Sequence, residues 1–161
     1  MIALLKEYFW VFFVSMVPLV ELRGAVLIGV GMGLELIPTY IVAVIGNMLP
    51  VPIILLFAKE VLLWCTHLPK VGGFFQKIWE KGVKAGDKLQ EKAGGGIYWA
   101  LFLFVGIPLP GTGAWTGALA ATILDLKFWP SVLAVMGGVM LAGVIMGVAA
   151  SGVFGAFGML F

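Results

Sequence analysis

The sequence predicts an all-α integral membrane protein. It reads as an inverted repeat of a re-entrant helical hairpin plus a transmembrane helix, the two halves joined by an amphipathic cytoplasmic helix. Three observations carry this. The 161-residue chain is 62% hydrophobic and 11% charged, with a mean hydropathy of +1.14, whereas a soluble domain is about half apolar and a quarter charged. Two segments are long enough to cross the ~30 Å hydrocarbon core as helix, which takes about 20 residues. Four shorter apolar segments fall into two pairs, each broken by a proline-containing turn. The chain is expected to be one membrane domain, 1–161, divided into repeat 1 (1–64), a basic linker (65–96) and repeat 2 (97–161).

The first pair of short segments is Tyr8–Val17 and Gly24–Leu34, joined by the turn Pro18-Leu-Val-Glu-Leu-Arg23. Ten or eleven residues of helix reach about 16 Å, half a bilayer. Arms this short predict a hairpin that enters and leaves on one side; two tilted, short full spans are the alternative. Next comes an apolar segment from about Pro38 to Trp64. Asn47, Pro50 and Pro52 predict a kink or an unwound stretch near its middle.

The linker carries Lys70, Lys77, Lys81, Lys84, Lys88 and Lys92 between His67 and Lys92. Lys77, Lys81, Lys84 and Lys88 fall on one helical stripe opposite Phe75, Ile78, Trp79, Val83 and Leu89. This predicts a helix lying on the inner leaflet with its lysines toward anionic headgroups. A solvated connector with pairs such as Glu80–Lys84 is the alternative.

The second pair is Ile97–Ile107 and Ala114–Leu124, joined by Pro108-Leu-Pro-Gly-Thr-Gly113, and the second long segment runs from about Pro130 to Phe161. The two halves resemble each other in sequence. Pro18 aligns with Pro108, Gly24-Ala25 with Gly113-Ala114, Leu34-Glu35-Leu36 with Leu124-Asp125-Leu126, Pro38 with Pro130 and Gly46 with Gly138. A hairpin returns the chain to its starting side and the span after it crosses once, so the second half is inverted. The positive-inside rule places the linker in the cytoplasm and both termini outside, in the plasma membrane of a prokaryote.

Candidate site residues follow from cost. An ionisable side chain at membrane depth is expensive unless paired. Glu21 and Arg23, the chain's one arginine, occupy the first turn, where a helix beginning at Gly24 offers free N–H groups. A tip of this kind holds a proton or a cation such as Na⁺ at Glu21 and an anionic group at Arg23. Alternatively the two residues pair with each other. The second turn is uncharged, so Pro108, Gly111, Thr112 and Thr116 are expected to form the opposing wall; Trp115 could line the site, although an aromatic there is more often packing. Asn47 is a ligand group or a helix–helix hydrogen bond. Glu35 and Asp125 read as interfacial caps, with gating as the functional alternative.

Small residues recur at spacing four: Ala25, Gly29, Gly33; Gly113, Gly117, Ala121; and Gly143, Gly147, Ser151, Gly155. They allow close helix packing within the chain or in a homo-oligomer. Nothing predicts an enzyme, a cofactor, a metal centre or nucleic-acid binding; Cys65 and His67 alone lack the ligand number a metal needs. The expected partners are membrane lipids and a small-molecule or lipid substrate.

The stretches "VPLVELRGAVLIGVGMGL" and "VGIPLPGTGAWTGALAATIL", with the basic linker between, resemble the bacterial and archaeal family of small multidrug export proteins. That resemblance implies export of small molecules; coupling to a proton or ion is expected from the acid Glu21. More distantly, the architecture is similar to the DedA superfamily, which implies two opposed re-entrant hairpins, lipid transport such as recycling of undecaprenyl phosphate, and Glu21 as the membrane-embedded acid. DedA members carry an arginine after the second hairpin's proline, where this chain reads Ile107-Pro108-Leu109-Pro110-Gly111-Thr112. A lipid flippase or scramblase and a non-transporting membrane assembly factor are the alternatives to an exporter.

Overall fold

The computed structural model describes the backbone of residues 2–69, 72–93, 95–109 and 112–158. Among these residues there is no strand; eight helices follow one another. They are α1 (Ile2–Met16), α2 (Glu21–Gly31), α3 (Leu36–Met48), α4 (Pro50–Thr66), α5 (Gly72–Ala93), α6 (Gly96–Gly106), α7 (Ala114–Ile123) and α8 (Phe128–Gly158). Gly111 lies outside the described residues, as do Lys70 and the side chains of Lys81, Lys88 and Lys92.

Two helical stretches are long and apolar enough to cross a membrane: Leu36–Thr66, of 31 residues, and Phe128–Gly152, of 25 residues. Only 33% of the most apolar window of each is buried inside the protein. Ile45, Phe57, Leu133 and Val148 point outward, an apolar exterior that suits lipid. The first stretch changes helix at Leu49, which keeps helical angles (φ −61°, ψ −44°). Pro50 and Pro52 then remove two backbone donors, so the interruption expected between Asn47 and Pro52 is the α3–α4 boundary.

The four short apolar segments are helices as expected, with two differences: α2 begins at Glu21 and not at Gly24, which puts Glu21 and Arg23 in its first turn, and α1 is longer than expected. α1 reaches back to Ile2, through Lys6 and Glu7, and has 15 residues. Helix propagation is favourable once nucleated, and neither Lys nor Glu opposes it. α2, α6 and α7 have 11, 11 and 10 residues.

The helices pack in matching ways. α1 lies on α3, and α6 on α8; α2 touches α3 and crosses to α8, while α7 touches α8 and crosses to α4. Leu22, Ala25, Val26, Ala43, Val105, Ala114, Ala118, Val135 and Val139 meet in the shared core. Two glycines allow close approach of α1 to α3 and of α6 to α8: a Cβ on Gly46 would lie 2.5 Å from the Phe12 carbonyl oxygen, and one on Gly138 would lie 2.7 Å from that of Phe102. Gly143 and Gly147 face Tyr40 and Leu36, so this part of the small-residue stripe is used inside the chain.

Local geometry also recurs. At the end of α2, Gly33 N–H donates to Val30 O and Leu34 N–H to Gly29 O; at the end of α7, Asp125 N–H donates to Thr122 O and Leu126 N–H to Ala121 O. Both are Schellman closures with a left-handed residue, Gly33 (φ 83°) and Asp125 (φ 50°). The helices that follow open alike, with Thr39 Oγ1 donating to Glu35 O and Ser131 Oγ to Lys127 O. Gly33 and Asp125, Thr39 and Ser131, and Gly46 and Gly138 are each 92 residues apart. In this register Asp125 answers Gly33 and Glu35 answers Lys127, so the expected match of Glu35 with Asp125 is displaced. Identical leucines on either side of the acids had suggested it, but the backbone hydrogen bonds set the alignment.

α5 packs on α4, α6 and α7. Lys77 and Lys84 are exposed while Phe75, Trp79 and Val83 are half-buried, consistent with a two-faced helix along the stretch where the side chains are described.

Candidate functional site

The turns Val17–Val20 and Ile107–Gly113 meet, and each brings what the other lacks. α6 ends at Gly106 and is followed by Ile107-Pro108. The last carbonyls of a helix have no intrahelical donors, and Pro108 cannot supply one. Arg23 fills the gap. Its Nη1 donates to Leu109 O, and its Nη2 lies 3.2 Å from Ile107 O, 3.3 Å from Val105 O and 2.9 Å from Thr112 Oγ1. Thr112 is held in place by donating to Ile107 O or Leu109 O, at 3.0 and 2.9 Å. A guanidinium serves here because its planar fork reaches several acceptors at once.

Glu21 goes to the opposite helix end. Its Oε1 accepts the backbone N–H of Trp115 at 3.3 Å, in the first turn of α7, where free N–H groups and the positive end of the helix dipole favour an anion. Glu21 as a residue is 7% exposed. Gly113 makes room for it: a Cβ there would overlap the carboxylate itself. Glu21 has φ 51°, an uncommon and strained conformation for a residue with a side chain. The second turn therefore receives both charges of the first. They form no ion pair with each other, because the carboxylate turns to the N–H groups at the start of α7 and the guanidinium to the carbonyls around the end of α6.

Trp115 is part of the junction. Besides its backbone bond to Glu21, its Nε1–H donates to Met16 O at 3.0 Å, at the end of α1. From the sequence Trp115 was a possible site wall but more often packing, and Gly113 only a residue that frees the backbone; neither was expected to meet Glu21. The signal was available in their position, at the N-cap and in the first turn of a helix that follows a Pro/Gly turn.

Pro18, Leu19, Glu21, Arg23, Pro108, Thr112, Trp115 and Thr116 line an open groove of about 650 Å³ whose other walls include Leu27, Leu119 and Met146. Thr116 is exposed to it and its hydroxyl donates to Gly113 O at 3.3 Å. The groove thus has polar groups at the tips and apolar walls. Glu21 also has unused acceptor capacity, since a carboxylate has about four lone-pair sites.

Asn47 is 2% exposed and does not line the groove; it shares a smaller cavity with Glu21. Glu35 and Asp125 are not in this site. Glu35 is the N-cap residue of α3 and makes no side-chain capping bond. Asp125 pairs with Lys59 on α4 at 2.6 Å, and the Lys59 ammonium lies 5.2 Å from the Trp79 ring centroid of α5. Lys59 was the overlooked charge in the first long apolar segment. The bridge ties α4, α5 and the α7–α8 turn together, with both side chains substantially exposed, at 41% and 51%.

Two long apolar helices with largely exposed apolar faces and short apolar helices packed against them define a helical membrane protein. A model of the family described as "Putative small multi-drug export protein" matches residues 21–145. The match covers more than half of the chain and takes in Glu21, Arg23 and the whole second turn, so the chain belongs to that family. No curated protein and no solved structure matches.

Proposed function

We propose that the protein is a transporter that exports small amphipathic molecules, with its substrate site in the groove between the two hairpin tips and a proton or ion coupled at Glu21. One observation carries the choice of substrate. Arg23 turns Nη1 and Nη2 to acceptors of the second turn and of the end of α6, whereas Glu21 accepts from the Trp115 N–H and keeps free lone pairs beside the groove. The spare capacity is acidic, which favours a cation or a proton over an anion. The apolar walls suit the rest of an amphipathic cation, and the family description agrees with export.

The proposed architecture has α1–α2 and α6–α7 as re-entrant hairpins entering from opposite faces. The recurring contacts and helix closures at one 92-residue offset support a repeat, and chain parity makes it inverted. Arms of 10 to 15 residues support re-entrance. Lysines on α5 favour the cytoplasmic side for the linker. Alternating access would require the junction of Arg23 and Glu21 with the second turn to open, so the interlocked tips represent a closed gate.

A lipid translocator of the DedA type is the second reading, favoured by the groove's apolar lining of Leu27, Leu119 and Met146. Reconstitution into liposomes separates the two. An exporter moves a cationic dye against an imposed proton gradient and loses that activity in Glu21→Gln. A lipid translocator moves a labelled phospholipid without the gradient. If neither probe moves in a correctly folded preparation, both transport readings fail and the assembly-factor reading remains.

A further inference from the structure

Asn47 Oδ1 is fully buried and has no hydrogen-bond partner among the described residues. Buried polar atoms are nearly always paired, so an orphan needs an explanation. Beside it is an interior cavity of about 10 Å³, walled by Glu21, Arg23, Asn47, Gly113 and Ala114 together with Leu22, Val105, Val139 and Ala142. That is about the room one water molecule needs. The polar side chains on its wall all come from the first half of the chain. At the 92-residue offset Glu21 answers Gly113 and Asn47 answers Val139, and all four line the cavity. It therefore sits where the two halves meet, polar on one side and apolar on the other.

We propose that this cavity is a single-water site. The water donates one hydrogen to Asn47 Oδ1 and the other to the Glu21 carboxylate, and Arg23 is the donor available to its oxygen. Three bonds are what a buried water typically makes. A metal cation is disfavoured on the same wall: three side-chain oxygens fall well short of the roughly six a hard cation takes, and the guanidinium repels it. Through the water, Asn47 acts as a positioning residue for Glu21, holding the carboxylate between the cavity and the groove, both of which it lines. The consequence for coupling rests on the transporter reading; the water does not.

The test uses the full chain in detergent or nanodiscs. A density map fine enough to show ordered waters should have one peak within hydrogen-bond reach of both Asn47 Oδ1 and Glu21. No peak there, with both side chains ordered, overturns the proposal, as does a peak coordinated like a metal ion. Infrared difference spectra give a second readout. The Glu21 carboxyl band, identified by its loss in Glu21→Gln, should shift in Asn47→Val, which copies the residue the second half carries. Asn47→Thr, which has Val's shape and a hydroxyl, should move the band back toward the wild-type position. A band at the same frequency in wild type and Asn47→Val sinks the proposal while leaving dye export intact. Loss of Glu21-dependent export with the band shift preserved would sink the transporter reading alone. Should Asn47→Val not fold, the wild-type map decides.

Discussion

The two turns close their hairpins by opposite means. Val17–Val20 leads into Glu21 and Arg23, so the first tip presents full charges on side chains. Ile107–Gly113 presents none; it offers the carbonyls left at the end of α6 and the N–H groups at the start of α7. Each is costly alone in a low-dielectric setting, an isolated ion because of its desolvation and a bare helix end because of its unmade hydrogen bonds. Together they cancel. The lesson is that the charged tip does not need a charged partner, because helix ends carry the complementary partial charges. The uncharged character of the second turn is therefore part of the fit.

The severest way to break this complementarity is at Gly113. Gly113→Ala places a methyl group on the Glu21 carboxylate, and overpacking of this kind typically costs about 1–3 kcal/mol before the displaced carboxylate is counted. We expect a marked fall in the thermal midpoint in detergent. Gly33→Ala is the control: its φ is also positive, but nothing lies within 4 Å of the added Cβ, so the loss should be smaller. Equal effects of the two would mean that backbone strain matters at Gly113 and the carboxylate does not.

Arg23→Ala comes next. It strands the acceptors of the second turn and removes hydrogen bonds to a charged donor, worth about 1.5–3 kcal/mol. Arg23→Lys should recover less than half of that, because an ammonium cannot span the same set of oxygens. Full recovery by lysine, read from chemical or thermal unfolding, would show that charge suffices without the fork.

Trp115→Phe keeps the backbone bond to Glu21 and deletes the indole bond to Met16 O, at an expected cost of about 1 kcal/mol. A second smaller test concerns Asp125, left-handed at φ 50° and bridged to Lys59. Asp125→Gly loses an exposed ion pair worth about 0–1 kcal/mol and relieves a backbone that glycine adopts freely, so stability should change little. Asp125→Ala loses the bridge and keeps the strain, and should be the less stable of the two in the same melting assay.

Much of this was legible in the residues. Span lengths, the short paired helices, the proline interruption of the first long segment and the importance of the two turns all follow from hydropathy, proline chemistry and helix rise. Whether Glu21 and Arg23 pair with each other stayed open in the sequence; the fold separates them by turning the carboxylate to the start of α7 and the guanidinium to the end of α6. Lys59 was visible in the sequence but masked by its apolar neighbours. The pairing of Glu35 with Asp125 went astray because short leucine-flanked acids align easily in a repeat, while the left-handed residue that defines the closure is a glycine in one half and an aspartate in the other.

By itself, then, the sequence determined the class of solvent, the helical elements and where charge had to be accounted for, because these depend on composition and on spacing within a segment. Tertiary structure alone decided what that charge meets. Arg23 reaches carbonyls 82 to 86 residues away along the chain, Glu21 reaches an N–H 94 residues away, and Asn47 comes to share a small cavity with both. Hydrogen bonds require positions fixed to a few tenths of an ångström, and for partners this distant in sequence only the packing of the helices against one another supplies them.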